Sequence, residues 1–296
     1  MRAIEIEGLT KSYGATRALK GIDICVSQGE IHGFIGMNGA GKSTTIRILL
    51  GLLKKDGGRV SLLGGDPYRD AVSLHRRLAY VPSELNPWPN LTGGEVIDLL
   101  CRLRGTPDQR RRDRLIERFQ FDPAKKCRSY SKGNRQKIAL ISALASDVEL
   151  YLLDEPTSGL DPLMEAEFQS CVRELASAGK TVFLSSHILA EVQRVCDHVT
   201  IIKEGVIVES GSLTELEGFS RLIVRAQCER DVSGLPMDGV QRLRREGNSL
   251  SFSVDSAHLS ATLKTLGEYG AVSLHCAPPS LEDLFLHHYA KDGDAI

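Results

Sequence analysis

Apolar and polar positions alternate at the start of the chain, over residues 3–7 and 22–26, with the period of two expected of half-buried antiparallel strands. A hairpin-like segment, VSLLGGDP at 60–67, extends this β region. From about Leu85 to Ala145 the spacing of apolar residues changes to three and four. GEVIDLLCRLRG, DQRRRDRLIERF and NRQKIALISALA then predict successive helices, an inserted helical subdomain. Beyond it, ELYLLDEP and TVFLSSH are short apolar runs separated by a helix over about 162–177, and DHVTIIKEG and VIVESG add further strands. Strands alternating with helices predict a parallel sheet covered on both faces. Composition shifts near Gly218. RLIVRAQC, VQRLRREGNSLSFSVD, the helical AHLSATLKTLGEYG, AVSLHCA and a final helix SLEDLFLHHYA predict a small, separate α+β domain over 218–296.

The 296 residues suit roughly two domains of ~150 residues. A net charge of −1 offers no general attraction to nucleic acid or to an anionic membrane. The seven cysteines, Cys25, Cys101, Cys127, Cys171, Cys196, Cys228 and Cys276, contain no C-x-x-C pair, which argues against a disulfide framework or zinc site and for reduced thiols in a cytosolic protein. The N-terminus is strand-like rather than basic and then apolar, so no signal peptide is expected. No apolar run approaches the ~18 residues that span a bilayer, so any membrane role is expected to pass through a partner.

Between the first strands lies GFIGMNGAGKSTT, residues 33–45, an apolar run that breaks into glycines and resumes as the helix-like TTIRILLGLL. Gly36 to Ser43 fits G-x-x-x-x-G-K-S. Backbone amides of Asn38, Gly39, Gly41, Lys42 and Ser43 can converge on a phosphate chain because few Cβ atoms obstruct them, and Ala40 and Thr44 complete the loop. The new helix adds its positive end, Lys42 reaches the outer phosphates, and the Ser43 hydroxyl can ligate Mg²⁺. A nucleoside triphosphate is the expected ligand. A second cluster ends ELYLLDEP, placing Asp154 and Glu155 at the carboxyl edge of the sheet, where ligands of open α/β sheets bind. Asp154 suits Mg²⁺, and Glu155 suits polarising a water that attacks the γ-phosphate. A strand followed by two acids and a proline is also an ordinary strand exit.

Four further pieces change the balance: YSKGNRQK at 130–137, SGLD at 158–161, SSH ending at His187, and Tyr13 in KSYG. With the glycine loop and LLDEP, their order and separations resemble the ATP-binding cassette (ABC) family over about residues 1–217. The resemblance implies a P-loop NTPase core with an antiparallel β subdomain and a helical subdomain at about 85–145. It also implies ATP hydrolysis with Mg²⁺. Tyr13 resembles the aromatic that stacks on adenine, with a tyrosine packed at a strand end as the lesser alternative. Ser131 and Gly133 match the second and fourth places of the family signature L-S-G-G-Q, here Y-S-K-G-N, which also reads as a helix N-cap. His187 resembles the histidine that contacts the γ-phosphate and orients Glu155. Asp161 resembles the residue coupling two sites across a dimer, and before Pro162 it is an equally good helix cap.

In this family the signature faces the phosphate loop of a second cassette, which implies a homodimer enclosing two ATP molecules. The resemblance further implies a separate integral membrane permease and a peripheral, cytoplasmic position on the inner face of the membrane. The family's linking-loop glutamine is replaced in YVPSELNPWPN, where Ser83 takes its place with Glu84 alongside as a carboxylate able to reach the metal. Trp88, the chain's sole tryptophan, lies in a proline-stiffened loop where relatives dock the permease, with burial in the helical subdomain as the alternative. Arg110, Arg111, Arg112 and Arg114 read as a solvated helix face rather than a nucleic-acid site. His287 and His288 have no matching ligand cluster. The C-terminal PSLEDLFLHHY resembles cassettes of drug- and antibiotic-export systems. The rival expectation is a soluble mechanical ATPase acting on DNA or ribosomes, whose relatives carry coiled-coil insertions or paired cassettes that this chain lacks.

Overall fold

The N-terminal alternation folds into a hairpin. β1 (Arg2–Tyr13) pairs antiparallel with β2 (Thr16–Ser27) and sends Ile4, Ile6 and Leu9 into the same apolar cluster as Leu19, Ile22 and Ile24. The chain then enters β3 (Ile31–Ile35), buried at every position, turns through the glycine loop and begins α1 (Lys42–Leu49). β4 (Gly57–Leu62) returns to β1, giving a three-stranded antiparallel sheet of order β2-β1-β4. A short helix, α2 (Ala71–His75), leads into β5 (Leu78–Val81). The computed structural model describes residues 1–105, 108–217, 221–230, 232, 239–255 and 258–277. Two units are distinguished, Met1–Gly211 and Ser212–Ile296, dividing slightly ahead of the composition shift at Gly218.

Three helices come after β5: α3 (Gly93–Arg104), α4 (Gln109–Arg118) and α5 (Lys132–Leu144), with a 3₁₀ turn at Cys127–Ser129. A capping box starts α3. Thr92 Oγ1 accepts from Glu95 N at 3.2 Å, and the Glu95 carboxylate accepts from Thr92 N at 2.6 Å, satisfying two otherwise orphaned amides. The expected solvated arginine face of α4 requires one correction. Arg112 turns inward, its side chain only 16% exposed, because Asp98 of α3 pairs with it at 2.7 Å.

The remaining elements of the first unit are β6 (Leu150–Asp154), α6 (Pro162–Ser177), β7 (Thr181–Ser186), α7 (Leu189–Val195), β8 (His198–Lys203) and β9 (Val206–Ser212). They complete a six-stranded sheet of order β5-β6-β7-β3-β8-β9, parallel from β5 through β8. β3, β6 and β7 are buried throughout, as strands covered on both faces must be. Glu204 and Gly205, both left-handed (φ 48° and 78°), make the tight turn that sends β8 back as β9. The register sets Ile35 beside Ser186 and Asp154 beside Ser185. The glycine loop, Asp154–Glu155 and His187 therefore leave the sheet at one carboxyl edge.

The second unit contains α8 (Leu213–Glu217), β10 (Arg221–Cys228), β11 (Val240–Glu246), β12 (Ser249–Asp255), α9 (Leu259–Glu268) and β13 (Ala271–Ala277). Its four strands are antiparallel in the order β11-β12-β10-β13, and Val224, Ala226, Leu250, Phe252 and Val254 form a core with Leu266 of α9. The expected final helix, with His287 and His288, lies outside the described residues. Among the described residues, no helix is long and apolar enough to cross a membrane.

Candidate active site

The geometry of the glycine loop dictates its residues. At Gly36 a Cβ would lie 2.5 Å from the Ile202 carbonyl oxygen, and at Gly41, the left-handed N-cap of α1 (φ 117°), it would meet Leu19 Cδ2 at 2.8 Å. Ala40 is buried, whereas Asn38 and Gly39 are exposed and Thr44 is half-buried. Thr45 Oγ1 donates to Gly41 O at 3.0 Å, pinning the first turn of the helix. Lys42 is 5% exposed and folds back over the loop, its Nζ donating to Gly36 O at 2.6 Å and Met37 O at 3.3 Å. The same ammonium is 3.4 Å from Glu155 Oε1.

Asp154, at the end of β6, is almost wholly buried and anchored from the neighbouring strand, where Ser185 Oγ donates to Oδ1 at 2.6 Å. Ser43 Oγ lies 3.4 Å from that oxygen. A hydroxyl at the start of a helix and a carboxylate at the end of a strand, both hard oxygen donors, fit Mg²⁺. The next residue adopts a left-handed backbone unusual for a glutamate: Glu155 has φ 47°. Its amide donates to Ser185 O at 3.0 Å and to Ser185 Oγ at 3.2 Å, and its carboxylate lies 3.3 Å from His187 Nδ1. Lys42, Ser43, Asp154, Glu155 and His187 are thus brought together as one connected cluster.

The other candidates stand apart from that cluster. Ser131 caps α5, its hydroxyl accepting from Asn134 N at 3.3 Å, while Gly133 packs so closely that a Cβ would sit 2.3 Å from Gly159 O. The signature and SGLD therefore touch within one chain, joined also by Lys132 Nζ donating to Ser158 Oγ at 2.9 Å. Asp161 performs the local task open to it, capping α6 by accepting from Leu163 N and Met164 N at 3.1 and 3.0 Å. Tyr13 is 47% exposed at the end of β1 with Lys11 Nζ 5.9 Å from its ring centroid. The hairpin partner β2 passes the glycine loop at Ala18–Leu19. Glu84 is exposed on the loop after β5 and makes no hydrogen bond or ion pair with the described residues; Ser83 beside it is half-buried.

Two contributors escaped the sequence reading. Ser185, in the buried strand TVFLSSH, donates to Asp154 and accepts from the Glu155 amide. Gln136 lies in the stretch NRQK and looked like an ordinary helical polar residue, yet it is buried and reaches the loops flanking Glu155.

Comparison with known proteins identifies the family. The family described as ABC transporter matches residues 19–158. The daunorubicin resistance ATP-binding protein DrrA3 of Streptomyces coeruleorubidus is 34% identical, over 98% of this chain and 96% of that protein. The bacitracin transport ATP-binding protein BcrA of Bacillus licheniformis is 35% identical over 76% and 74% of the two chains. A solved ATP-binding subunit of an ABC transporter superposes with a TM-score of 0.69 at 31% identity, covering 73% of this chain and 92% of that one. A dimeric bacterial ABC cassette at 24% identity shares the fold, with a TM-score of 0.65 over 71% and 98%. With a P-loop NTPase core in hand and relatives matched along nearly its whole length, this chain belongs to the ABC family as an ATP-hydrolysing, ATP-binding subunit of a transporter.

Proposed function

We propose that the chain drives an exporter of a drug- or antibiotic-like small molecule through a separate membrane-spanning permease, held at the inner face of the membrane by that partner. The naming of relatives for daunorubicin resistance and bacitracin transport supports this substrate class. Two copies close head to tail on two ATP molecules, the signature of each facing the phosphate loop of the other, and hydrolysis reopens them. Trp88, 54% exposed between two prolines, is the proposed anchor for the permease.

The observation that carries the chemistry is the position of Glu155, with Lys42 Nζ 3.4 Å and His187 Nδ1 3.3 Å from the same carboxylate oxygen. Glu155 polarises the attacking water. His187 orients Glu155 and the γ-phosphate, and Lys42 exchanges its loop carbonyls for phosphate oxygens. The loop amides from Asn38 to Thr44 hold the phosphate chain, Tyr13 stacks on the base, and Ser131, Gly133 and Asp161 complete the site of the opposite copy. Ser43 and Asp154 would hold Mg²⁺, with Glu84 at the rim; when bound, the ion neutralises charge on the β- and γ-phosphates. Catalysis is then positioning and electrostatics without a covalent intermediate.

The Glu155→Gln variant tests the composite site, because it preserves shape while removing the charge that polarises water. It should bind ATP, stop turning over and run as a dimer in size-exclusion chromatography only with Mg-ATP. A monomer with nucleotide demonstrably bound would reject head-to-tail closure. Co-purification from membranes with a multispanning subunit is expected, and recovery with ribosomes or DNA would favour the mechanical ATPase.

A further inference from the structure

Two buried polar side chains outside the reacting cluster hold the segments that carry its acid and its histidine: one the turn after Glu155, the other the start of the His187 loop. Gln136 of α5 is 2% exposed, and its Nε2 donates to Pro156 O at 3.1 Å and to Pro82 O at 3.0 Å. Pro156 comes directly after Glu155, and Pro82 directly precedes Ser83 and Glu84. Glu191 of α7 is 5% exposed, and its Oε2 accepts from Ser186 Oγ at 2.8 Å. Ser186 precedes His187, and its hydroxyl accepts from Ile188 N at 3.0 Å, so it is tied into the start of the His187 loop.

Glu155 needs such support. Its left-handed φ of 47° persists only where the surroundings over-determine it. Ser185 holds its amide from β7, but Pro156 and Thr157, next in the chain, leave the sheet. Gln136 grips Pro156 there, and Glu191 holds Ser186, the residue before the His187 that faces Glu155. Neither side chain serves the core simply by filling space. An apolar residue of Gln136's size would leave the buried Pro156 carbonyl and the half-buried Pro82 carbonyl without its donor. Burial pushes the Glu191 carboxyl above its ordinary range, a desolvation penalty that an apolar side chain would avoid.

We propose that Gln136 and Glu191 are positioning residues forming a two-part clamp, Gln136 on the turn directly after Glu155 and Glu191 on Ser186 beside His187, so that Glu155 reaches its working geometry only while the signature helix and the His187 loop are both seated. One amide thereby joins three parts that the chain keeps far apart: the helix beginning at Ser131, the linking loop at Ser83–Glu84, and the catalytic turn. This rests on the reading of Glu155 as the group that polarises the attacking water.

The test is steady-state ATPase and ATP affinity on the full chain. Gln136→Met keeps length and removes both donors; it should lower kcat about 10- to 100-fold, as displacement of a reacting group by about an ångström does, with KM close to wild type and a melting temperature lowered by only a few degrees. Glu191→Ala should act in the same direction, and Glu191→Gln should recover most of the loss, because its amide oxygen still accepts from Ser186. In a Glu155→Gln background, Gln136→Met should cause no further fall in the residual rate. Unchanged kcat in Gln136→Met, with Glu155→Gln inactive, overturns the clamp alone. An equal fold loss in both backgrounds, or a KM that rises in step with the fall in kcat, also overturns it. Wild-type hydrolysis by Glu155→Gln would instead remove the role assigned to Glu155 and the clamp with it. Should Gln136→Met fail to fold, the Glu191→Ala and Glu191→Gln pair decides by the same readouts.

Discussion

The first unit presents the proposed phosphate-binding groups on two edges built in opposite ways. At the carboxyl edge of the parallel sheet, Lys42 and Asp154 are buried, Glu155 and Ser43 are half-buried, and each touches another member of the cluster. At the signature edge, Ser131 and Asp161 are exposed, and their side chains are engaged in capping the helices that begin there. The first edge is preorganised for chemistry within one chain. The second offers helix ends and backbone to something outside. That difference is what a site shared between two copies requires, since each copy then carries one complete catalytic edge and one outward-facing cap.

The strongest way to break this comparison is to damage the two edges on different chains. Lys42→Ala should lower hydrolysis about 10²- to 10³-fold by removing a charge aimed at the transition state, and Ser131→Arg should be similarly inactive by obstructing the partner edge. Mixed in equal amounts, the two variants should recover roughly a quarter of wild-type activity, because about half the dimers are mixed and each mixed dimer contains one intact site. If the two variants mixed show no more activity than either alone, the edges do not meet across chains.

A smaller effect is expected where the same unit meets the permease. Trp88→Ala should weaken capture of the membrane partner by about 2 kcal/mol, the scale of a single interface anchor, and leave ATP affinity unchanged. Full capture by a folded variant would assign Trp88 to an irrelevant surface. Smaller again is the effect at the caps. Asp161→Ala should lower stability by about 1 kcal/mol through loss of the α6 cap, whereas Asp161→Asn keeps an oxygen there and should leave the melting temperature nearly unchanged. A fall in ATPase activity in Asp161→Asn without a change in stability would separate coupling between sites from capping. Wild-type activity would leave capping as the whole role.

These contrasts also show what could be read from residues alone. The glycine loop was legible because its chemistry depends on spacing along the chain: Gly36, Gly41, Lys42 and Ser43 do their work within eight positions. Asp154 and Glu155 were legible as a strand end, although the left-handed backbone of Glu155 was not. That conformation is imposed by Ser185 and the loops around it, not by the peptide LLDEP. Gln136 was hidden for a related reason. Pro82 and Pro156, its partners, lie far from it in sequence, so nothing in the helical periodicity of NRQK distinguishes it from a solvated glutamine. Arg112 shows the reverse error, an apparently solvated charge drawn inward by Asp98 of a helix whose relative placement the pattern could not supply. In the second unit the alternating strands were visible, but the order β11-β12-β10-β13 depends on non-local pairing.

The smallest effect, and the finest division between the two edges, concerns the loop at Ser83 and Glu84. The loop is tied to the catalytic turn through Pro82 O and Gln136, yet Glu84 itself points to no described partner. If the loop senses the metal directly, the group must have a carboxylate's reach, because a serine needs an intervening water to cover a glutamine's span. Glu84→Ala should then raise the Mg²⁺ concentration for half-maximal nucleotide binding a few-fold, a weaker effect than loss of a buried ligand because an exposed carboxylate is screened by solvent. Mg²⁺-free nucleotide affinity should not change. Measuring the Mg²⁺ dependence of ATP affinity and of hydrolysis in wild type, Ser83→Ala and Glu84→Ala divides the cases. A shift confined to Glu84→Ala places the carboxylate at the metal, and a shift confined to Ser83→Ala transfers the role to a serine-bound water. With neither midpoint moved, the loop acts through its backbone, and the Gln136–Pro82 hydrogen bond becomes the connection through which it reaches Glu155.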